Sequence, residues 1–166
     1  MRFLVERGGA SVNAALTTYG FTALMLGSQN GPLETVRFLV ERGDANVNAA
    51  LATGSTALTL SREKGHLETV RFLVERGGAS VNAALTVCRS ECHVEVVLFL
   101  LQRGAHVNAA RALCGRTPLM FASMTGHVAA VRLLLEHGAL KRLTNHSGYT
   151  ALDLAASHPL VLAALV

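Results

Sequence analysis

The sequence predicts an all-α solenoid built from stacked helix-turn-helix units, and three observations carry this prediction. The stretch ETVRFLVERG occurs at 34–43 and again at 68–77, and similar glycine-ended segments recur along the chain at nearly the same spacing. A fixed period of about 20–50 residues is typical of repeat proteins, whose units share one core because none can bury its apolar face alone. Apolar residues make up 51% of the 166 residues but aromatic residues only 5%. This composition favours a core of Leu, Val and Ala between helices.

Each unit is predicted to consist of an inner helix, an outer helix and the turns around them. The segment TALTLSREKG at 56–65 begins with a threonine, which favours a helix start, and ends at a glycine. The next segment, HLETVRFLVERG at 66–77, predicts a second helix because its apolar residues form one stripe at helical spacing. These residues are Leu67, Val70, Leu73 and Val74. The charged residues between them fall on the opposite side, which faces solvent.

A second signature precedes each inner helix and identifies the repeat. It reads GFTALML at 20–26, GSTALTL at 54–60, GRTPLMF at 115–121 and GYTALDL at 148–154. In its fullest form, GRTPLMFASMTGHVAAVRLLLEHGA at 115–139, the unit closely resembles an ankyrin repeat, and the resemblance extends over nearly the whole chain. The resemblance implies an L-shaped unit of inner helix, outer helix and extended β-hairpin-like loop, stacked into a slightly curved slab.

The resemblance also implies one ankyrin-repeat domain over residues 1–166, divided into six segments. They are a partial repeat (1–19), two repeats (20–53 and 54–87), a shortened repeat (88–114), a further repeat (115–147) and a partial C-terminal repeat (148–166).

The shortened repeat lacks seven residues, because its loop asparagine and the following histidine are 11 positions apart instead of 18. The missing residues fall where the inner helix belongs, so either this helix is truly deleted or the sequence omits a segment. We expect the stretch LTVCRSECHVEVV at 85–97 to keep the loop and the outer helix of the unit. We also expect distortion at 85–93, where a helical turn at Ser90–Cys92 would fill part of the gap.

The chain departs from the family at the histidine that normally follows Thr-Pro-Leu. The residues at this position are Met25, Thr59, Met120 and Asp153. Because that histidine normally hydrogen-bonds between neighbouring repeats, we expect weaker stacking, by about 1 kcal/mol at each site.

Composition and motifs argue against several classes of function. No Ser-His-Asp arrangement, pair of carboxylates or phosphate-binding loop occurs, so we expect neither an enzyme nor a cofactor. The net charge is +4 and no basic run exceeds two residues, which argues against nucleic-acid binding. There is no signal peptide and no apolar stretch of about 20 residues, so we expect no membrane span. Three cysteines do not make a disulfide framework, which indicates a reducing compartment, cytoplasmic or nuclear.

Two alternatives to a protein-binding scaffold stay open. Cys88, Cys92 and His93, with Cys114 further along, would serve a metal- or redox-responsive module. Their C-x3-C-H spacing is not a usual ligand pattern, so unpaired thiols are the favoured interpretation. The other alternative is a structural fragment of a larger ankyrin-repeat protein, such as a ubiquitin-ligase receptor or a microbial effector. The apolar C-terminal segment SHPLVLAALV at 157–166 is a candidate for self-association.

The resemblance further implies that a protein partner docks on the loop tips and on the exposed side of the inner helices. Carried over position by position, the tip residues are Tyr19, Phe21, Thr53, Ser55, Arg116 and Tyr149. The inner-helix residues are Gln29, Asn30, Arg62, Lys64 and Met124. Aromatic and arginine side chains dominate the energetics of protein interfaces, which supports this assignment.

One loop asparagine resembles a modification site of the family. Asn108, eight residues after Leu100, resembles the target of an oxygen-sensing asparaginyl hydroxylase. The alternative, which we favour, is that this asparagine braces the turn.

Overall fold

The computed structural model describes residues 11–15, 19–30, 32–85 and 93–166, and the regular elements within them are all helices. The helices are α1 (Ala23–Asn30), α2 (Leu33–Glu41), α3 (Ala57–Glu63), α4 (Leu67–Glu75), α5 (Val81–Leu85), α6 (Val94–Gln102), α7 (Pro118–Met124), α8 (Val128–Glu136), α9 (Ala151–Leu154) and α10 (Pro159–Leu165). The predicted all-α class is confirmed. Ala50 and Thr56 form an isolated antiparallel bridge at the base of a hairpin-like loop.

The chain forms two compact units, Met1–Ser80 and Val81–Val166. In the first unit, the inner helices α1 and α3 pack against each other, and each packs on its own outer helix, α2 or α4. In the second unit, the inner helix α7 packs on its outer helix α8 and on the next inner helix, α9. Helix α8 also contacts the outer helices α6 and α10, and the short α5 packs on α6.

Each inner helix begins at a threonine that forms a capping box. In α3, the N–H of Thr59 donates to Thr56 Oγ1 (3.3 Å) and the N–H of Thr56 donates to Thr59 Oγ1 (2.7 Å). The same pair of bonds joins Thr22 to Met25, Thr117 to Met120 and Thr150 to Asp153. The residues that stand in place of the family's histidine therefore complete the cap of their own helix, with a hydroxyl, a thioether or a carboxylate as the acceptor.

Leucines of the inner helices and an apolar stripe on the outer helices form the core. Leu24, Leu58 and Leu119 are fully buried, and burying a leucine stabilises the fold by about 1.5–3 kcal/mol. On α4, Val70 and Leu73 are fully buried as predicted, whereas the other two residues of the predicted stripe are partly exposed. The outer helices thus present their apolar side to the stack.

A loop asparagine in four successive repeats binds the loop of the following repeat, a contact that we call the asparagine clasp. Asn48 Nδ2 donates to the carbonyl oxygen of Gly78 (3.1 Å), and Asn48 Oδ1 accepts from the N–H of Ser80 (2.9 Å). Equivalent bonds join Asn13 to Asp44 O and Asn46 N, Asn82 to His106 N, and Asn108 to Gly138 O and Leu140 N. One side chain thus supplies a donor and an acceptor to backbone groups that have no strand to pair with.

The end of the repeat 54–87, directly before the shortened repeat, contains a short helix. The pentapeptide VNAAL occurs at 12–16, 47–51 and 81–85. The copy at 47–51 forms a turn that leads into the bridge, and the copy at 81–85 forms α5. At 81–85 a helix therefore stands in place of the extended loop that the resemblance implies after each outer helix. Ala84 and Leu85 are fully buried, so α5 buries apolar surface directly before the repeat whose inner helix is missing from the sequence.

The remaining expectations for the shortened repeat lie outside the described residues. Residues 86–92 include the expected helical turn at Ser90–Cys92 and most of the stretch expected to be distorted. Those two expectations stay predictions.

We predict that Asn48→Ala lowers the free energy of unfolding by about 1–2 kcal/mol, because it removes two hydrogen bonds to backbone groups. Asn48→Asp keeps an acceptor but loses the donor, so its loss should be smaller. Urea denaturation followed by circular dichroism measures both. The control is Asn30→Ala, at an exposed end of α1, which should change stability by less than about 0.5 kcal/mol. Equal losses in Asn48→Ala and Asn30→Ala would contradict the clasp.

We predict that Asp153 contributes stability that is lost in acid. The Thr150 hydroxyl and N–H donate to its carboxylate (2.6 and 2.7 Å) and hold its pKa below the ordinary value of 3.8. The contribution is therefore present above pH 3.8 and disappears as the pH falls through the lowered pKa. Melting temperatures measured across this range should converge for the wild type and Asp153→Asn at low pH.

The control for this pH series is Asp44→Asn, because the Asp44 carboxylate accepts no hydrogen bond within the described residues. A difference between the wild type and Asp153→Asn that stays constant with pH would contradict the role of the charged cap.

Candidate functional site

In the first unit, the tip positions of two successive repeats expose an aromatic side chain and a threonine, respectively. Tyr19 is 76% exposed, and Phe21, two residues further on, is partly exposed. Thr53 is exposed and its hydroxyl lies 3.1 Å from that of Ser55. Ser55 itself is 8% exposed, so its expected exposure at the tip is wrong. Its hydroxyl points back to the hairpin, where Thr53 satisfies it.

At the ends of the inner helices in the first unit, three of the four residues expected on the binding surface are exposed or partly exposed, and one is buried. Asn30 and Lys64 are exposed and Gln29 is partly exposed, as expected for a binding surface. Arg62, however, is only 2% exposed, and its assignment to the exposed side of α3 is wrong.

The reason lies in the helical register. Arg62 is the sixth residue after Thr56, and the sixth residues after Thr22 and Thr117 are Ser28 and Ser123, both fully buried. Arg62 thus occupies the side of the inner helix that faces the stack.

Two hairpin tips meet in the second unit. The first is closed by a bond from the N–H of Arg111 to the carbonyl of Arg116 (2.9 Å). The second is closed by a bond from the N–H of Asn145 to the carbonyl of Tyr149 (3.0 Å). The N–H of His146 donates to the carbonyl of Cys114 (3.1 Å), which places the two tips side by side.

Three side chains of these hairpins define a surface that we call the second tip surface: Leu113, Arg116 and Tyr149. Arg116 and Tyr149 each follow the glycine of their own tip, so they hold equivalent places on neighbouring repeats. Tyr149 is 54% exposed, and Leu113 is 67% exposed. Leu113 was missed by the sequence-based assignment, although an apolar residue in a polar turn was a usable signal.

Arg116 is partly buried and is held over the ring of Phe121, with its guanidinium carbon 5.9 Å from the ring centroid. Such a cation–π contact orients the guanidinium without neutralising it. Met124, at the end of the same helix, is partly exposed. The second unit thus presents an oriented cation on the same pair of hairpins as two exposed side chains, Leu113 and Tyr149.

Histidines at the starts of the outer helices fix the inner-helix ends, a role that the sequence did not reveal. The ring Nε2 of His66 lies 3.2 Å from the carbonyl oxygen of Gln29, and that of His158 lies 3.0 Å from the carbonyl oxygen of Met124. Each ring therefore reaches back to the preceding repeat and holds a residue of the candidate surface. Nε2 of His127 is buried with no acceptor in the described residues, and the repeat before it is the shortened one.

The metal or redox site stays a prediction. Cys88 and Cys92 lie outside the described residues, and His93 immediately precedes α6. Cys114 is a free, partly exposed cysteine. Among the residues that the structure describes, no three His, Cys, Asp or Glu side chains form a group that could hold a metal ion.

Three further expectations bear on modification, self-association and membranes. The amide of Asn108 is engaged in the asparagine clasp, in line with the bracing interpretation; its hydroxylation stays a prediction. Leu160 and Val166 of the apolar C-terminal segment are exposed, and self-association through them stays a prediction. In the described parts of the chain, no helix is long and apolar enough to span a membrane.

Comparison with known families identifies the repeat over most of the chain. A model of the ankyrin repeat matches residues 19–50 and 53–85, and a model of ankyrin repeats in many copies matches residues 85–135. Together these matches cover more than two thirds of the chain.

Curated relatives are similar over a small part of their length. The chain is 40% identical over 67 residues to the B-cell lymphoma 3 protein homolog of Mus musculus, a match that covers 40% of this chain and 15% of the relative. It is 47% identical over 64 residues to the "Probable E3 ubiquitin-protein ligase XBOS34" of Oryza sativa subsp. japonica, covering 37% of this chain and 12% of the relative. The chain therefore spans less than a fifth of the length of these relatives.

We predict that Gly115→Ala disrupts the contact between the two tips. Gly115 has a φ of 68°, and an added Cβ would lie 2.5 Å from the ring of His146 and 2.9 Å from its backbone nitrogen. Gly148→Ala is the matched control, because Gly148 has a φ of 81° with nothing within 4 Å. The free energy of unfolding of the control should fall by about 1–2 kcal/mol, because alanine is strained in the left-handed backbone conformation.

The free energy of unfolding of Gly115→Ala should fall by about 1–3 kcal/mol more than that of Gly148→Ala, because the His146 backbone must move. Chemical denaturation of the two variants measures the difference. Equal losses would show that the tips do not constrain each other.

Proposed function

Because the chain belongs to the ankyrin-repeat family, we propose that it is a non-catalytic protein-binding scaffold whose partner docks on the hairpin tips and on the neighbouring ends of the inner helices. The observation that carries the proposal is the exposure of large side chains at the tips. Tyr19, Leu113 and Tyr149 are all more than half exposed, whereas Leu24, Leu58 and Leu119 of the inner helices α1, α3 and α7 are buried. The fold does not need these three residues for its core.

Exposed aromatic side chains at fixed positions suit protein binding for a physical reason. Tyrosine buries a large area on binding and loses little conformational entropy, which is why it is frequent among residues that dominate interfaces. The tips are held by the asparagine clasp and by closed hairpins, so little ordering is required when a partner binds. Asn30, Lys64 and Met124 lie at inner-helix ends that could extend each contact.

The relatives' names fit a binding role but do not identify the partner. The rice relative is named as an E3 ubiquitin-protein ligase, and the matched stretch covers only 12% of it. We therefore assign to this chain the part that ankyrin repeats generally play, the recognition of another protein, and no catalytic step.

A test begins with selection of random displayed peptides against the full chain. We predict that each selected peptide binds at least about tenfold more weakly to Tyr19→Ser or to Tyr149→Ser, because interface tyrosines often contribute 2 kcal/mol or more. Fluorescence polarisation of the labelled peptides measures the affinities. The control is Arg132→Ser, at an exposed position of the outer helix α8, which should leave every affinity unchanged.

Peptides that are insensitive to both tyrosine substitutions but sensitive to Arg132→Ser would place binding on the outer helices and overturn the proposal. Circular dichroism of each variant controls for unfolding.

A further inference from the structure

We propose that the second tip surface binds an acidic segment of the partner protein, with an apolar side chain of that segment seated beside Leu113 and Tyr149. This inference rests on the proposed function and names the chemistry of the partner. It is carried by the charge of the loops, by the contact between the two tips and by the orientation of Arg116.

The two loops of the second unit that carry the tips are basic and contain no acid. Residues 103–117 and 137–150 include five Lys or Arg residues and no Asp or Glu: Arg103, Arg111, Arg116, Lys141 and Arg142. The corresponding loop of the first unit, residues 42–56, contains one arginine and one aspartate. The excess of positive charge therefore belongs to the second unit.

Not all of these cations are available to a partner at the tips. Lys141 Nζ donates to the carbonyl oxygen of Leu165 (2.6 Å), at the end of α10. The Arg103 guanidinium lies 4.9 Å from the ring centroid of Phe99, on α6. Arg116 is the cation that lies directly after a tip glycine, at the position that Tyr149 holds on the next repeat.

Arg116 retains its charge and its donors. It forms no ion pair with a described residue, and its Nε is buried without an acceptor there. The acids nearest to Arg116 along the chain, Glu95 and Glu136, lie on the outer helices α6 and α8. The carboxylate of Asp153, close to Tyr149 in the chain, accepts two bonds from Thr150. A guanidinium presents its donors in a fork that matches a carboxylate, so a Glu or Asp side chain is the ligand that its geometry favours.

The apolar neighbours make a protein segment the preferred occupant. Leu113 and Tyr149 are solvent-exposed and belong to the same two hairpins as Arg116, whose backbones meet where the N–H of His146 donates to the carbonyl oxygen of Cys114. A partner therefore gains by covering them together with the charge. Nucleic-acid affinity rests on several phosphate contacts, often about 6–10 in specific complexes, and the surface offers one oriented arginine. An acidic peptide with one large apolar residue satisfies both features at once.

The test uses the full chain and peptides selected from a random displayed library. We expect Asp and Glu to be enriched among the selected sequences, together with one large apolar residue. Arg116→Gln should weaken binding about tenfold or more, because a charge-assisted hydrogen bond is lost. Arg132→Gln is the matched control, since Arg132 is an exposed arginine of the same unit on the outer helix α8.

A second experiment changes the peptide instead of the protein, so that its result does not depend on whether a protein variant folds. Replacing the acidic residues of a selected peptide by Asn and Gln should weaken its binding to the wild type by the same factor. The substituted peptide should then bind Arg116→Gln about as tightly as it binds the wild type, because the two changes remove the same interaction.

The outcomes separate this inference from the proposed function. Peptides that depend on Tyr149 but lack acidic enrichment, or that bind Arg116→Gln as tightly as the wild type, overturn the acidic partner and leave the binding scaffold standing. Peptides insensitive to every tip substitution overturn both. A labelled single-stranded oligonucleotide that binds more tightly than the peptides, and is released by Arg116→Gln, would show that the surface takes nucleic acid instead.

Discussion

The asparagine clasp is the interaction on which the arrangement of the loops depends. An extended loop outside any sheet leaves backbone N–H and C=O groups to be satisfied. A side-chain amide suits this task because it carries an acceptor oxygen and a donor nitrogen side by side on separate atoms. Asn48 and Asn108 each satisfy one N–H and one C=O of the next loop. The clasp therefore sets the spacing of successive hairpins, and with it the distance between the side chains at their tips.

Some repeat positions accept different residue types, because more than one side chain can supply the hydrogen bond that the position needs. Lys141 stands 33 positions after Asn108, where another asparagine is expected, and its ammonium instead binds the carbonyl end of α10, a favourable place for a cation. The capping boxes likewise accept a hydroxyl, a thioether or a carboxylate, because the cap needs only an acceptor three residues after the threonine. The substitutions for the expected histidine thus keep the start of each inner helix.

Part of the candidate site was predictable, because the resemblance to the ankyrin repeat places the tip positions within each unit. Tyr19 and Tyr149 were assigned to tips by this resemblance, and both are exposed. Leu113 was missed because it lies in a turn one residue longer than that of the first unit. The contacts of His66 and His158 with the preceding helix were also missed, since they join residues 37 and 34 positions apart.

The sequence by itself determined the repeat, the helices and their caps, because the period, the apolar stripes and the helix-starting threonines are local patterns. Only the tertiary structure decided which side chains are buried. Arg62 and Ser55 look exposed by composition, yet both are buried by what packs around them. The pentapeptide VNAAL is the sharpest case: it forms a turn at 47–51 and a helix at 81–85. Five residues fix only a weak local preference, and the apolar surface available for Ala84 and Leu85 to cover decides between the two conformations.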